Sequence, residues 1–277
     1  MLDPGRSAHV ASWCEPPSGS ESASGGGASF RVEAADKIAV RFADDEGLRS
    51  QASILVNRLY ARRGYGGFHR LESGDHSTTF TATSEDQVVG TITLTVDTPT
   101  GLATDQTFKA ELDRFRAIPG VRLCELTKFA VDPATNSPRA LAALFHVIFI
   151  YGKQRYDCTD LLIEVHPRHV RYYEVMLGFT RVGAPRIDGS VEWWPRDVPV
   201  QLLRLRVADI RRQIDLHAGG KCGAARSLYR HFFSAAEERG IAARVAAAFG
   251  IAAVAAPGPI GREIGPPSPR LTFSAAA

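Results

Sequence analysis

One stretch limits the fold more than any other. Residues 121–131 read as a strand, residues 138–156 as an apolar helix, and residues 161–165 (LLIEV) as a short buried strand. Asp132-Pro133 ends the first strand, because proline lacks the N–H a ladder needs. Ser137 is a good N-cap, and Pro138 suits the first helical position, where an N–H would go unused anyway. Strand, helix and strand in this order form a right-handed parallel crossover. The chain therefore needs a sheet with a parallel pair at its heart and a helix lying across it.

The flanking sequence supplies antiparallel partners. Residues 37–42 (KIAVRF) alternate as a strand. Residues 45–62 place Leu48, Ala52, Leu55, Val56 and Leu59 at helical spacing. Residues 78–83 and 88–96 alternate around the polar turn Ser84-Glu85-Asp86 and predict a hairpin. Residues 104–117 predict a helix with Thr104 as its N-cap. Residues 168–177 predict another, stopped by Gly178. Residues 179–186 and 200–207 supply the last strands. The order β-α-β-β-α-β-α-β-α-β-β describes a mixed α/β (α+β) sheet flanked by helices.

The two ends read differently. Residues 1–29 are rich in Ser, Gly and Pro, and residues 251–277 are rich in Pro. Neither buries enough apolar area to offset its ordering entropy, so both are expected to be flexible tails. Residues 30–207 form the sheet domain, and residues 208–250 a helical extension packed on it. The start of the chain lacks the basic and apolar pattern of a secretory signal. No apolar run is long enough to cross a bilayer.

Charge excludes some partners. Lys and Arg total 33 against 30 Asp and Glu, a net charge of +3, with no dense basic block. Nucleic acid is therefore not the expected partner. Cys14, Cys124, Cys158 and Cys222 are far apart and form no CxxC. They are expected to be free thiols in a reducing, cytoplasmic setting, and no metal site is expected.

Three ordered stretches resemble the GNAT acyltransferase fold. Within it, they resemble the long-chain N-acyl amino acid synthases and the related acyl-homoserine lactone autoinducer synthases. The first runs from Gly90 through Asp97, Gly101 and Asp105 to Phe108, Glu111, Asp113 and Arg116. The second is Cys124-Glu125-Leu126-Thr127-Lys128-Phe129-Ala130-Val131. The third is Val165-His166-Pro167-Arg168-His169, followed by Tyr172-Tyr173 and Leu177-Gly178-Phe179. Leu228 to Phe233 (LYRHFF) resembles the tail segment of the amino acid synthases. The resemblance implies a GNAT-like, mostly antiparallel sheet with a central parallel pair that splays apart. A bulge in the 121–131 strand would free backbone N–H groups, near Thr127, Lys128 and Phe129, for the thioester oxygen.

Amide synthesis from a thioester needs a neutral amine, a base for its proton and donors for the oxyanion. Glu125 sits among apolar neighbours, which raises a carboxyl pKa toward a useful range. It is a candidate base or amine-orienting residue, and equally a structural acid paired with Lys128 or Arg122. The family pattern has Arg where this chain has Lys128, so a bidentate fork is replaced by a point charge. Tyr173 falls on the helix from which such enzymes protonate the leaving thiolate, and it also suits plain packing. A catalytic Cys124 is not required by direct amine attack.

The Gly-rich pyrophosphate loop of GNAT enzymes is replaced by Asn136-Ser137-Pro138-Arg139-Ala140-Leu141. Without those glycines the backbone cannot close on two phosphates. This favours a phosphopantetheine thioester on acyl carrier protein over acyl-CoA, as a co-substrate and not a tightly bound cofactor. Arg139, Arg168, His169 and Arg171 are the expected carrier or pantetheine contacts. Asp97 and Asp105 are expected to meet the acceptor's ammonium, or else to cap their loop. Leu141, Leu144, Phe145, Ile148 and Phe149 either line an acyl tunnel or pack in the core.

The expected activity is transfer of a long acyl chain from acyl carrier protein to the amine of an amino acid or related amine. The amphiphilic product would permit peripheral membrane contact. Two alternatives remain at this point. One is an autoinducer synthase using S-adenosylmethionine, and the other is a non-catalytic module that only binds the carrier.

Overall fold

A computed structural model describes residues 30–34, 38–65, 67–71, 74–135, 137–187, 199–217 and 227–250. The two expected tails, Lys37 at the expected start of the first strand, Asn136 of the expected phosphate loop, Cys14 and Cys222 lie outside the described residues. Strands β1 (Arg31–Glu33) and β2 (Ile38–Phe42) precede helix α1 (Glu46–Ala61). Hairpin β3 (Ser77–Ser84) and β4 (Gln87–Val96) leads to α2 (Asp105–Arg116). The crossover follows as β5 (Leu123–Val131), α3 (Pro138–Tyr156) and β6 (Asp160–Val165). Then come α4 (Pro167–Leu177), β7 (Thr180–Ile187) and β8 (Pro199–Arg206). Helix α5 (Val207–His217), a 3-10 turn (Leu228–His231) and α6 (Ala235–Phe249) complete the described chain.

The eight strands form one sheet in the order β1-β2-β3-β4-β5-β6-β8-β7. Only β5 and β6 pair in parallel; every other neighbour is antiparallel. The sheet is thus mixed and mostly antiparallel, with its single parallel pair between two antiparallel halves. At the β3–β4 turn, Glu85 and Asp86 both take positive φ, of 48° and 60°. Two such residues make the kind of turn whose twist matches a hairpin.

Helix α3 is apolar on nearly all sides because it is covered on both. Leu144, Val147, Ile148 and Tyr151 are buried in the large core with Phe42, Phe80 and Leu94 of the sheet. Its outer side meets the 3-10 turn and α6. There His146, fully buried, accepts a bond from the Phe233 N–H at 3.0 Å through Nδ1 and stacks on Phe232 at 4.7 Å. Ser137 caps α3 by accepting from the Ala140 N–H. Ser234 and Glu237 form a reciprocal capping box at α6. On the opposite face of the sheet, Leu55, Val56 and Leu59 of α1 pack on Ala130. Phe108 and Leu112 of α2 pack on Leu123, Leu162 and Leu202.

Two expectations are corrected here. Cys124 and Cys158 are not free thiols but form a disulfide. The crossover brings them together across 34 residues, at the point where β5 and β6 are still paired. This also removes Cys124 as a nucleophile. Cross-linking a loop of that size restricts the unfolded chain and is worth about 2–4 kcal/mol. We expect reductant under denaturing conditions, or the double Cys124→Ala, Cys158→Ala change, to lower the unfolding free energy by that amount. Denaturant melts indifferent to both would refute the bridge. The second correction concerns Thr104, whose side chain makes no cap bond to α2. Asp105 instead accepts from the Leu102 N–H at 2.7 Å, and the Thr104 hydroxyl donates to Glu125.

Candidate active site

Strands β5 and β6 pair over only three positions, Leu123↔Asp160, Cys124↔Leu161 and Glu125↔Leu162. Beyond Glu125, β5 continues to Val131 against β4 alone, and β6 continues to Val165 against β8 alone. The pair is a fork. At its closed end lie the disulfide, the Arg122–Thr159 bonds and a buried ion pair of Asp160 with Arg204 at 2.6 Å. A bulge on β5 opens the other end. The β4–β5 register runs Thr91↔Ala130 and then Thr93↔Thr127, so Ile92 alone faces Lys128 and Phe129. Lys128 takes the left-handed φ of 52°, which turns the backbone at this point. Among the described residues, the β6-facing edge of β5 past Glu125 pairs with no strand.

Glu125 stands at the fork. It is 2% exposed, accepts from the Ala103 N–H at 2.9 Å and takes a short bond from the Thr104 hydroxyl. Burial pushes its pKa up to about 7, against the opposing pull of the bonds from Thr104 and Ala103. Arg122, one of its expected partners, instead reaches Asp157 at 3.9 Å.

The loop that seals Glu125 is held by a charge cluster. Arg116 of α2 donates to both oxygens of Asp97, at 2.7 and 2.8 Å, and to both oxygens of Asp105, at 2.6 Å each. The Arg116 guanidinium holds the Asp105 carboxyl below the usual range. An acceptor ammonium at Asp97 or Asp105 would have to compete with this guanidinium. Their geometry serves the alternative, fixing the 97–105 loop and so the donors on Glu125. Gly101 completes the turn with φ 79°, and a Cβ there would lie 2.6 Å from Asp105 Oδ2. Only glycine fits both demands.

Tyr173 of α4 packs on the open end of β5. Its ring meets Phe129 of β5 at 6.5 Å and Phe179, just after α4, at 5.9 Å. Burial pushes its phenol pKa well up, and it stays protonated as a donor. His166 caps α4 by accepting from the Arg168 N–H at 3.0 Å, and Arg168 Nε donates to His169 Nε2 at 3.1 Å. Burial and the Arg168 charge lower both histidine pKa values. Arg168 and Arg171 are exposed on α4, and Arg139 is exposed in the first turn of α3. Leu144, Phe145, Ile148 and Phe149 are core residues, with Phe145 packed on Phe129 at 5.5 Å.

Sequence reasoning missed Arg116 as the organiser of three aspartates, although its position after Asp97, Asp105 and Asp113 was the available signal. It also missed Tyr60 and Tyr65, whose rings meet at 5.6 Å beside α1, with Tyr65 packed against the α2 cluster. Among the described residues no group of three or more His, Cys, Asp or Glu is arranged to hold a metal ion, and no helix is long and apolar enough to cross a membrane.

Residues 51–205 match the model of the family described as N-acyl amino acid synthase FeeM. Among solved structures, FeeM, an N-acyl amino acid synthase from uncultured soil microbes, is 28% identical with a TM-score of 0.55, over 63% of this chain and 94% of that chain. The AHL synthase LasI is 16% identical with a TM-score of 0.47, over 61% and 90%. The CoA-dependent acyl-homoserine lactone synthase BjaI is 14% identical with a TM-score of 0.41, over 60% and 78%. No curated protein sequence matches the chain.

Proposed function

The chain belongs to the N-acyl amino acid synthase FeeM family and is an N-acyltransferase, and we propose that it moves a long acyl chain from acyl carrier protein to the α-amine of an amino acid. The observation that carries this reading is the fork of β5 and β6 with Glu125 at its base and a bulge beyond it. In the proposed reaction the pantetheine arm enters the open end. The thioester oxygen takes hydrogen bonds from backbone amides around Thr127, Lys128 and Phe129. The amine nitrogen forms the C–N bond, its proton passes toward Glu125, and the C–S bond breaks. Tyr173 returns a proton to the thiolate.

A pKa of about 7 suits a base working near neutrality. The carrier protein is preferred as donor on two grounds. The chain has no glycine between residues 136 and 141 to cradle a pyrophosphate, and α4 presents Arg168 and Arg171 outward beside His169. Acidic carrier helices complement such a face, with Arg139 near the phosphate. We place the reaction in the cytoplasm, with the acyl thioesters; the Cys124–Cys158 bridge is buried away from reductant there.

The test is purified full chain incubated with long-chain acyl carrier protein and pooled amino acids, with acyl-CoA run in parallel, read by mass spectrometry. We expect an acyl-amide and free carrier thiol. Absence of acyl-amide with both donors would overturn the function, and amide from acyl-CoA alone would overturn the donor.

A further inference from the structure

Glu125 has no open face to offer the acceptor. It is almost fully buried, and its two carboxylate oxygens are engaged by Ala103 and Thr104. The attacking nitrogen must nevertheless sit between this base and the bulge amides that hold the thioester oxygen. Side chains on a strand alternate, so the next residue on the same face toward the bulge is Thr127, about 7 Å further along.

The sheet register places two polar rows here. Ser77, Thr95 and Glu125 form one, and Thr79, Thr93 and Thr127 form the next. In the first row the Ser77 and Thr95 hydroxyls bond each other at 2.8 Å. In the second, Thr79 and Thr93 do the same at 2.8 Å. Thr127 is half-buried, and among the described residues its hydroxyl has no hydrogen-bond partner. One hydroxyl is thus left unspent, one row from the base and at the edge of the bulge. A β-branched residue at this site also has few rotamers, so the hydroxyl is held in place.

Resting on the function proposed above, we infer that the Thr127 side chain is the positioning contact for the acceptor nitrogen. Its oxygen accepts a hydrogen bond from the neutral amine, aims the nitrogen lone pair at the thioester carbon, and leaves the departing proton directed back along β5 to Glu125 through one water. No bond to Thr127 forms or breaks. The role belongs to its hydroxyl and is separate from that of the backbone amides beside it.

The test uses Thr127→Val, which keeps the shape and removes the hydroxyl, and Thr127→Ser, which keeps the hydroxyl. Loss of positioning predicts that Thr127→Val loses about 10- to 100-fold in kcat/KM for the amino acid, a typical cost of misplacing a reactant. Its thermal midpoint should stay near wild type. Its rate should still rise with pH through about 7, the value set by Glu125, and Thr127→Ser should recover most of the rate. A Thr127→Val enzyme with wild-type kcat/KM, or a loss that Thr127→Ser does not recover, would overturn this inference while leaving the synthase reading intact. Failure of the wild type to form any acyl-amide would instead remove the reading on which it rests.

Discussion

Replacing Glu125 by Gln is expected to leave a folded protein that forms acyl-amide about 10²–10⁴-fold more slowly, the usual cost of losing a positioned base. The amide keeps an oxygen for the Ala103 N–H and offers an NH₂ group to the Thr104 hydroxyl, so the local packing survives. Wild-type activity should rise with pH through about 7, and this limb should vanish in the variant. Stability should move the opposite way. The folded pKa of Glu125 is raised from 4.5 to about 7, so its carboxyl favours folding in its neutral form. That contribution is complete below about pH 4.5 and is lost as pH rises through about 7, at a cost near 3 kcal/mol. Glutamine escapes this loss. At pH 8 the variant should therefore be the more stable protein by up to about 3 kcal/mol, with the two converging at pH 4. Equal activity, or a less stable variant at pH 8, would contradict the role given to this residue.

Arg116→Met is expected to have the second-largest effect. It strips the partner from Asp97 and Asp105, which are both mostly buried, and leaves Asp113 with Lys109 alone. Breaking a buried pair costs about 3–5 kcal/mol, and partial solvent access at Arg116 lowers this to about 2–4 kcal/mol. The thermal midpoint should fall by several degrees. The sign with pH is also fixed. The Asp105 carboxyl is lowered by Arg116, so its stabilisation is present above the ordinary carboxylate range and is lost as pH falls through its folded value. The variant should consequently be less sensitive to acid than the wild type. Because the same loop carries Ala103 and Thr104, Glu125 should lose its donors and titrate higher. The rise in activity should then shift above pH 7. A variant that melts normally and keeps the wild-type pH profile would show that the cluster does not hold the site.

Much of the fold was legible because local signals and tertiary demands agreed. Ser137-Pro138 opens α3 and Gly178 closes α4, and the alternation in 78–96 fixes a hairpin whose polar turn accommodates positive φ. What escaped the sequence was non-local. β1 is three residues long and gains meaning only by pairing with β2. Strand β8 inserts between β6 and β7, an order that no local pattern encodes. Cys124 and Cys158 carry no motif, because the spacing that matters is created by the crossover and not by the chain. Thr104 reads as a cap by residue type, yet the demand of a buried carboxylate for donors outweighs the cap.

In the candidate site, Glu125 and the 127–129 segment follow one another on β5 and the Tyr173 ring meets Phe129, but the bulge arises because two residues of β5 face one of β4, which the sequence does not spell out. Asp97 and Asp105 both pair with Arg116, a contact that residue type and spacing do not reveal.

The decisive experiment is a crystal structure of the full chain bound to a non-hydrolysable long-chain acyl-pantetheine thioether. The sulfur and the first acyl carbons are expected between β5 and β6 beyond Leu162, with amides of the Lys128 bulge facing the carbonyl position. A ligand seated elsewhere, such as the cleft of about 420 Å³ between Val32, Phe233 and Ile241, with β5 and β6 left empty, would contradict it.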